Sequence, residues 1–476
     1  MYRKTDYSQI KIELPFGVEL NRENRWVKLA AIMPWSKIEE QYARNFSGTD
    51  GHEAKSSRIA FWALYIQARL AITDEETVSQ IQENPYMQYF CGFDEYTTEK
   101  PFDSSLMVHF RKRISKEMMK EISEEAFASE VLKELTKETD KNDEDDANPP
   151  KGTLLIDATC CPSDIHFPTD VWLLNHAREL TEVIIDDLHA QLVRKGSVKI
   201  KPRTNGENAR KAFLAHSRRR KSAYEQIRYA IQQQLQFVRR NLDTITKQVE
   251  TGAELTKLNR VLYEKLQTIA ELYLQQQAMF DQKINTCPER IVSIAQPHLR
   301  PIVRGKAGVP VEFGAKIATA QIGGFSFVIH MGYDNFSEAK YLERSAEEYK
   351  RTFGFYPKVI IGDRAYATNG NRKYCKSKGI RLSCLQRGHK SEEFKEAERK
   401  QLYEDSCVRN AIEGSYGVVK RKYALALVMT KLYETTLTAI SFGFFVANME
   451  RILRSLVALF WGFSPPQQRK LCFIVN

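Results

Sequence analysis

The sequence predicts an α/β protein: a mixed sheet with flanking helices, preceded by an all-α region and interrupted by a long helical hairpin. Three observations carry that expectation. Residues 1–137 have the apolar spacing of helices. From residue 311 onward, short apolar runs and helical segments follow as strand, strand, helix, strand, helix, strand, an α/β alternation. Between an isolated first strand and that series lies an insertion, residues 176–300, with coiled-coil-like periodicity.

The helical region comes first. In SSRIAFWALYIQARLA, residues 56–71, the side chains Ile59, Trp62, Ala63, Ile66 and Leu70 recur every three or four positions, as one buried helix face requires. Thr73 then stands at an N-cap position with Glu76 three residues on, as in a capping box. That second helix, TDEETVSQIQENP, ends near Asn84 and Pro85. FRKRIS, residues 110–115, closes the region with the basic cluster Arg111, Lys112 and Arg113, a candidate grip on duplex DNA. Residues 1–137 are therefore expected to bind DNA alone, with marked salt dependence. A helical packing or dimerisation domain fits the same residues equally well.

Residues 138–151, ETDKNDEDDANPPK, are acidic, poor in apolar side chains and punctuated by two prolines, the composition of a solvated linker. GTLLIDAT follows, a buried strand expected to end in Asp157. Two further strands are expected at residues 311–320 and 325–332, then a helix over residues 337–353. Gly354 and Pro357 lead into KVIIGD, a strand ending in Asp363; a helix and the short strand IRLSCL come next. In the insertion, Tyr224, Ile227, Ile231, Leu235, Val238, Leu242 and Ile245 step by threes and fours, as do Leu255, Leu258, Leu262, Leu266 and Ile269 after Gly252. Two antiparallel helices suit that pattern. Whether this hairpin only packs a core, or serves as a dimerisation or DNA-contacting arm, stays open on the sequence. The most apolar stretch, residues 437–463, is interrupted by Asn448, Glu450, Arg451 and Arg454, polar and charged side chains that a bilayer would disfavour. It reads as a buried helix pair. The expected organisation is thus 1–137 helical, 138–151 linker, 152–463 an α/β domain with its insertion at 176–300, and a tail at 464–476.

Composition is that of a globular chain, 42% hydrophobic and 28% charged, and the formal net charge of +11 favours polyanionic partners through counterion displacement. None of the eight cysteines falls in a C-x-x-C pair or with His at zinc spacing, so reduced thiols of a cytoplasmic protein are expected. The opening MYRKTDYSQIKIEL has no apolar core of a signal peptide. No membrane partner is expected.

Chemistry enters with the carboxylates. Asp157 follows TLLI and Asp363 follows VIIG, each placing an acid where a buried strand meets solvent, the usual site position in an open α/β sheet. One such Asp is commonly a turn former or cap; a pair matched by a helix-borne Glu calls for more. That Glu is Glu413, in SCVRNAIEGSYGVVKRKYAL, where Arg409, Glu413, Tyr416 and Lys420 form one stripe at i, i+4, i+7 and i+11. Such a stripe is ordinarily a solvated face, but Val408, Ile412, Val418 and Val419 around it suggest that it is aimed at a site. Three carboxylates suit two hard cations, here Mg2+ with Mn2+ able to substitute, which activate an attacking oxygen and stabilise a leaving one. Arg409 and Lys420 would then face phosphate. Asp164 and Asp170, close behind Pro162 and Pro168, suit turn or cap roles. A lone His166 suits a structural role, and Lys316 is a weaker candidate to face the site.

Taken together these blocks resemble the bacterial insertion-sequence DDE transposases. Their Tyr-x2-Arg-x3-Glu-x6-Lys motif is matched at Arg409, Glu413 and Lys420, with Ser406 at the tyrosine position. DATCCPSDIHFPTD from Asp157 is similar to the family's first-Asp block, IIGDRAYATNGNR to its second, and the N-terminal region through FRKRIS to the helical domain that precedes catalysis. The resemblance implies an RNase H-like catalytic domain and metal binding by Asp157, Asp363 and Glu413. It implies hydrolysis at the element's ends, then attack of the freed 3′-OH on target DNA. Terminal inverted repeats, target DNA and a homodimer or higher multimer on DNA in the nucleoid are the implied partners. An RNase H-fold nuclease that never joins strands, and a catalytically silent DNA-binding regulator, are the alternatives.

Overall fold

The computed structural model describes residues 19–46, 53–137, 151–303, 311–383 and 392–460, with isolated positions 2, 12 and 14. Most of the acidic segment and the 464–476 tail lie outside the described residues.

The N-terminal helices are α1 (Arg25–Ala31), α2 (Trp35–Ala43), α3 (Ser57–Leu70), α4 (Asp74–Glu83), α5 (Pro85–Cys91), α6 (Leu106–Arg113) and α7 (Lys116–Lys137). Ser56 caps α3 by accepting from the Ile59 N–H, and Thr73 caps α4 by accepting from the Glu76 N–H. Pro85 opens α5 at its first position, where its missing N–H loses no helical bond. Helix α3 is buried on nearly every side, with Phe61, Trp62 and Tyr65 wholly enclosed.

Its cover comes from the far end of the chain. Helix α15 (Tyr433–Phe460) brings Phe442 and Phe445 to 4.9 and 5.5 Å from the Phe61 ring. The expected helix pair is therefore one continuous helix. The only glycine inside it, Gly443, does not break it but makes room for Leu425, whose Cδ1 would lie 2.7 Å from a Cβ there. The polar residues that interrupt the apolar run are accommodated: Asn448 exchanges two hydrogen bonds with the Ser326 backbone, and Glu450 pairs with Arg69 at 2.5 Å. Among the described residues no helix is long and apolar enough to cross a membrane.

The chain forms two compact units, one of residues 1–163, 315–332 and 336–476, the other of residues 164–314 and 333–335. The N-terminal helices thus do not stand apart as a 1–137 domain; they share a unit with the sheet and with α15. A fragment ending at residue 137 would strip α15 from Phe61, so it is not a fair test of DNA binding.

The strands are β1 (Thr153–Pro162), β2 (Pro301–Val303), β3 (Val311–Ile322), β4 (Phe325–Gly332), β5 (Val359–Ile361) and β6 (Arg381–Ser383). The sheet of the first unit runs β4-β3-β1-β5-β6, with β3 and β4 antiparallel and β1, β5 and β6 parallel, while β2 pairs with the start of β3. Helices α12 (Leu342–Phe353), α13 (Asn369–Ser377) and α14 (Glu392–Lys422) accompany it. This is the mixed, helix-flanked sheet expected of an RNase H-like domain. Two expectations change: β5 ends at Ile361, two residues short of Asp363, and β1 does not end at Asp157 but continues to Pro162. Ala158, Cys160 and Cys161 are buried like the residues before them, and the Val428 N–H donates to the Pro162 carbonyl at 2.8 Å.

In the second unit the expected hairpin, α10 (Tyr224–Glu250) and α11 (Arg260–Gln282), proves to be two of three long helices. The third is α8 (Asp170–Arg194), so the insertion begins earlier than residue 176. Leu173, Leu174 and Ala177 of α8 share a core with Leu235, Val238, Ile269 and Leu272, and Ile184, Ile185 and Leu188 share another with Ile245 and Leu258. A shorter helix, α9 (Gly206–Ser217), lies between α8 and α10 in the chain. Asp170 accepts from Arg290 at 2.6 Å and Gln276 at 2.8 Å, and His166 stacks on Trp172 at 4.3 Å, structural roles for both.

Candidate active site

The parallel register carries the first two acids on neighbouring paths. Leu154 is level with Ile360 and Leu155 with Ile361, and two residues beyond on each path stand Asp157 and Asp363. Gly362 permits the close approach: a Cβ there would lie 2.8 Å from the Tyr366 ring and 3.0 Å from Ile156, both buried and unable to yield. Asp363 accepts from the Ala365 N–H at 2.7 Å, capping the 3₁₀ turn Arg364–Tyr366. Asp157 accepts from the Ala158 N–H at 2.8 Å.

Burial pushes the Asp157 pKa up to about 6, against the lowering effect of the Ala158 N–H; the carboxylates of Glu338 and Asp363 raise it further, and Arg409 lowers it. Glu338 is not singled out by the sequence. It stands in the 3₁₀ turn Glu338–Tyr341 after β4, with Lys316 Nζ at 3.2 Å. Lys316, on the strand beside β1, also donates to the Phe336 carbonyl at 2.8 Å, which directs it toward Glu338. No motif marks Glu338; only its place just after a strand could have suggested it.

Helix α14 is fastened to the sheet on either side of the third carboxylate. Arg381 of β6 grips Asp405 with bonds of 2.6 and 2.9 Å. Burial works to raise the Asp405 pKa, but hydrogen bonds from Arg381 and Ser383 outweigh it and hold the group below its usual value. Further along, the Tyr416 hydroxyl meets Thr319 Oγ1 at 2.6 Å, and Gln321 donates to Ser415 at 2.5 Å. The stripe is therefore divided: Tyr416 turns into the sheet, whereas Glu413 is 54% exposed and takes a 3.1 Å bond from Arg409. Lys420 is partly buried and, among the described residues, in no ion pair. Ser406 is exposed and donates to the Tyr403 carbonyl at 2.7 Å.

Asp157 thus feels the charges of Asp363, Glu338 and Arg409 together. Among the described residues no three His, Cys, Asp or Glu side chains form a group ready to hold a metal ion, so Glu413 is not gathered with the two aspartates. The donor set fits hard cations in chemistry: oxygen ligands only, with a desolvated carboxylate in need of positive charge.

The basic cluster also divides. Arg111 is buried, bonded to Asp74 at 2.5 and 2.9 Å and to Gln67 at 2.8 Å, so a phosphate contact would have to break that arrangement. Arg113 lies over the Phe46 ring, and of the three Lys112 alone is exposed.

Comparison with known proteins adds to this geometry. A family model described as a transposase DDE domain matches residues 360–450, which hold Asp363, Arg409, Glu413 and Lys420. A second, described as a transposase domain (DUF772), matches residues 16–113. Asp157 lies outside both spans. The chain is 30% identical over 151 residues to an uncharacterized protein, ORF8 in the nfe locus of Rhizobium meliloti, a match covering 32% of this chain and 68% of the relative. No solved structure matches.

Proposed function

Because the chain belongs to the insertion-sequence DDE transposases, we propose that it cuts DNA at the ends of its element and joins the freed 3′ ends to target DNA. One observation supports this reading: the parallel β1–β5 register, from whose last pair, Leu155 and Ile361, Asp157 and Asp363 each stand two residues on. Asp157 and Asp363 would hold divalent metal, Mg2+ by the hardness of the ligands, with Glu413 joining them once it leaves Arg409. When bound, the metal supplies activation of the attacking oxygen and relief of charge on the leaving one. Arg409, released from Glu413, and Lys420 would hold the phosphate near the carboxylates. Terminal inverted repeats are the DNA to be cut, and a multimer on DNA would bring two ends together.

The test uses a labelled duplex made from the DNA that borders the gene, incubated with the full chain and Mg2+. Cut ends followed by labelled strands joined to a second DNA support the proposal. Cutting without joined product favours a nuclease, and intact DNA bound by the chain favours a silent regulator.

A further inference from the structure

The most basic stretch of the chain belongs to the second unit. Residues 194–221 hold eleven Lys and Arg against one acid, Glu207; the surplus, 11 − 1 = 10, nearly equals the formal net charge of +11 for the whole chain. The segment leaves α8, forms α9 and enters α10.

Its inner side is fixed. Ala209 is wholly buried and its carbonyl accepts from Gln234 at 3.4 Å. Gly206 sits so close to the Glu182 carboxylate that a Cβ would be 2.9 Å from it. Glu182 is held in turn by the buried Arg178 at 2.7 Å. Its outer side carries Arg210, Lys211, Arg218, Arg219, Arg220 and Lys221, all exposed and, among the described residues, in no ion pair. An ordinary solvated helix face alternates its charges and satisfies them at i,i+4. Residues 208–221 contain no acid at all, so this face has nothing of its own to pair with. The field is felt locally: burial first, then Arg219, lowers the pKa of His216.

We propose that this face of the second unit is a docking surface for duplex DNA, gripping phosphates without reading sequence. The inference rests on the transposase reading, which makes DNA the polyanion at hand. Like charges on both sides oppose a second copy docking through the same face, because a two-fold contact would bring the cluster against itself. The 12 residues of α9 span about 18 Å at 1.5 Å each, the run of roughly five phosphates along one strand.

The experiment measures binding of the full chain to a short duplex of arbitrary sequence over a range of salt concentrations. The variant carries Arg218→Gln, Arg219→Gln, Arg220→Gln and Lys221→Gln together; a second carries Arg210→Gln with Lys211→Gln. All six side chains are exposed, so circular dichroism and melting temperature should match the parent. Each phosphate that is no longer neutralised should flatten the slope of log affinity against log salt by about 0.9. The fourfold variant is expected to bind at least about tenfold more weakly at low salt, and the double variant to be affected less. A control with Lys257→Gln and Arg260→Gln, whose charges are already paired with Glu254 and Glu264, should retain the parental slope. Parental affinity and slope in both test variants would overturn the surface while leaving the transposase reading intact. A parent that fails to bind the duplex even at low salt would overturn both.

Discussion

Asp157 and Asp363 differ from Glu413 in what holds them. Asp157 rides on β1 and Asp363 stands two residues past the end of β5, the parallel strand paired with it, so their backbone positions are set before any side chain chooses a rotamer. Glu413 rides on a helix whose neighbours are locked, Asp405 by Arg381 and Tyr416 by Thr319, while its own carboxylate stays exposed against Arg409. The strands build in a repulsion between acids, one of them desolvated. The helix provides an acid that can still move. In the proposed site the rigid part stores the unfavourable electrostatics, and the exchangeable Arg409–Glu413 pair holds the adjustable acid.

Removing either aspartate should have the largest effect. Asp157→Asn and Asp363→Asn are each expected to abolish strand cleavage while DNA binding persists; cleavage near the parental rate would remove that residue from the site. Asp157→Asn has a second consequence. The folded-state pKa of about 6 lies above the ordinary value of an aspartate, so the folded chain binds the proton more tightly than the unfolded one. The penalty for charging Asp157 is absent below about pH 4, grows as pH rises through about 6 and is full above it. Metal-free Asp157→Asn protein should therefore melt higher than the parent at about pH 7.5, by an amount corresponding to about 1–3 kcal/mol. The difference should vanish near pH 4, roughly the unfolded-state pKa.

Lys420→Ala should slow single-turnover cleavage at least about thirtyfold, a loss of about 2 kcal/mol that approaches the roughly 2.7–4 kcal/mol of a removed oxyanion donor. Its melting temperature should change little. Cleavage like the parent's would make Lys420 part of a solvated face.

Gly362→Ala tests the strand side of the comparison without touching a carboxylate. The added methyl meets Tyr366 and Ile156, so β5 must shift from β1; about 1–3 kcal/mol of stability and roughly tenfold in cleavage are expected to go. An unchanged melting temperature would show that the strands do not set the spacing of the acids. The smallest effect on stability belongs to Arg409→Ala, which removes an exposed i,i+4 pair worth only about 0.2–0.5 kcal/mol.

Local signals are legible in the sequence, and distant partners are not. Ser56 and Thr73 cap the helices before which they stand, because capping is decided within four residues. The basic look of FRKRIS says nothing of Asp74, which lies 37 residues from Arg111 in sequence and draws it into the interior. Helix α8 is not anticipated, although Leu174, Ala177, Thr181, Ile184, Ile185 and Leu188 keep helical spacing; Asp164 and Asp170 behind prolines point to turns instead. The end of β1 is misplaced because Asp157 looks like a boundary, while the buried Cys160 and Cys161 beyond it look like any small residues. Of the proposed site, Asp157, Asp363 and Glu413 stand out in the sequence as acids that end or interrupt apolar runs. Glu338 cannot, since its role depends on a turn that returns it to the sheet.

If Glu413 completes the site, its carboxylate must leave Arg409 to join Asp157 and Asp363. Single-turnover cleavage of a labelled duplex from the borders of the gene, measured in Mg2+ for the parent and for Glu413→Gln alongside DNA binding, tests this. Glu413→Gln should bind the duplex as the parent does and leave it uncut. Cleavage by Glu413→Gln at a near-parental rate would contradict a site built from these three carboxylates.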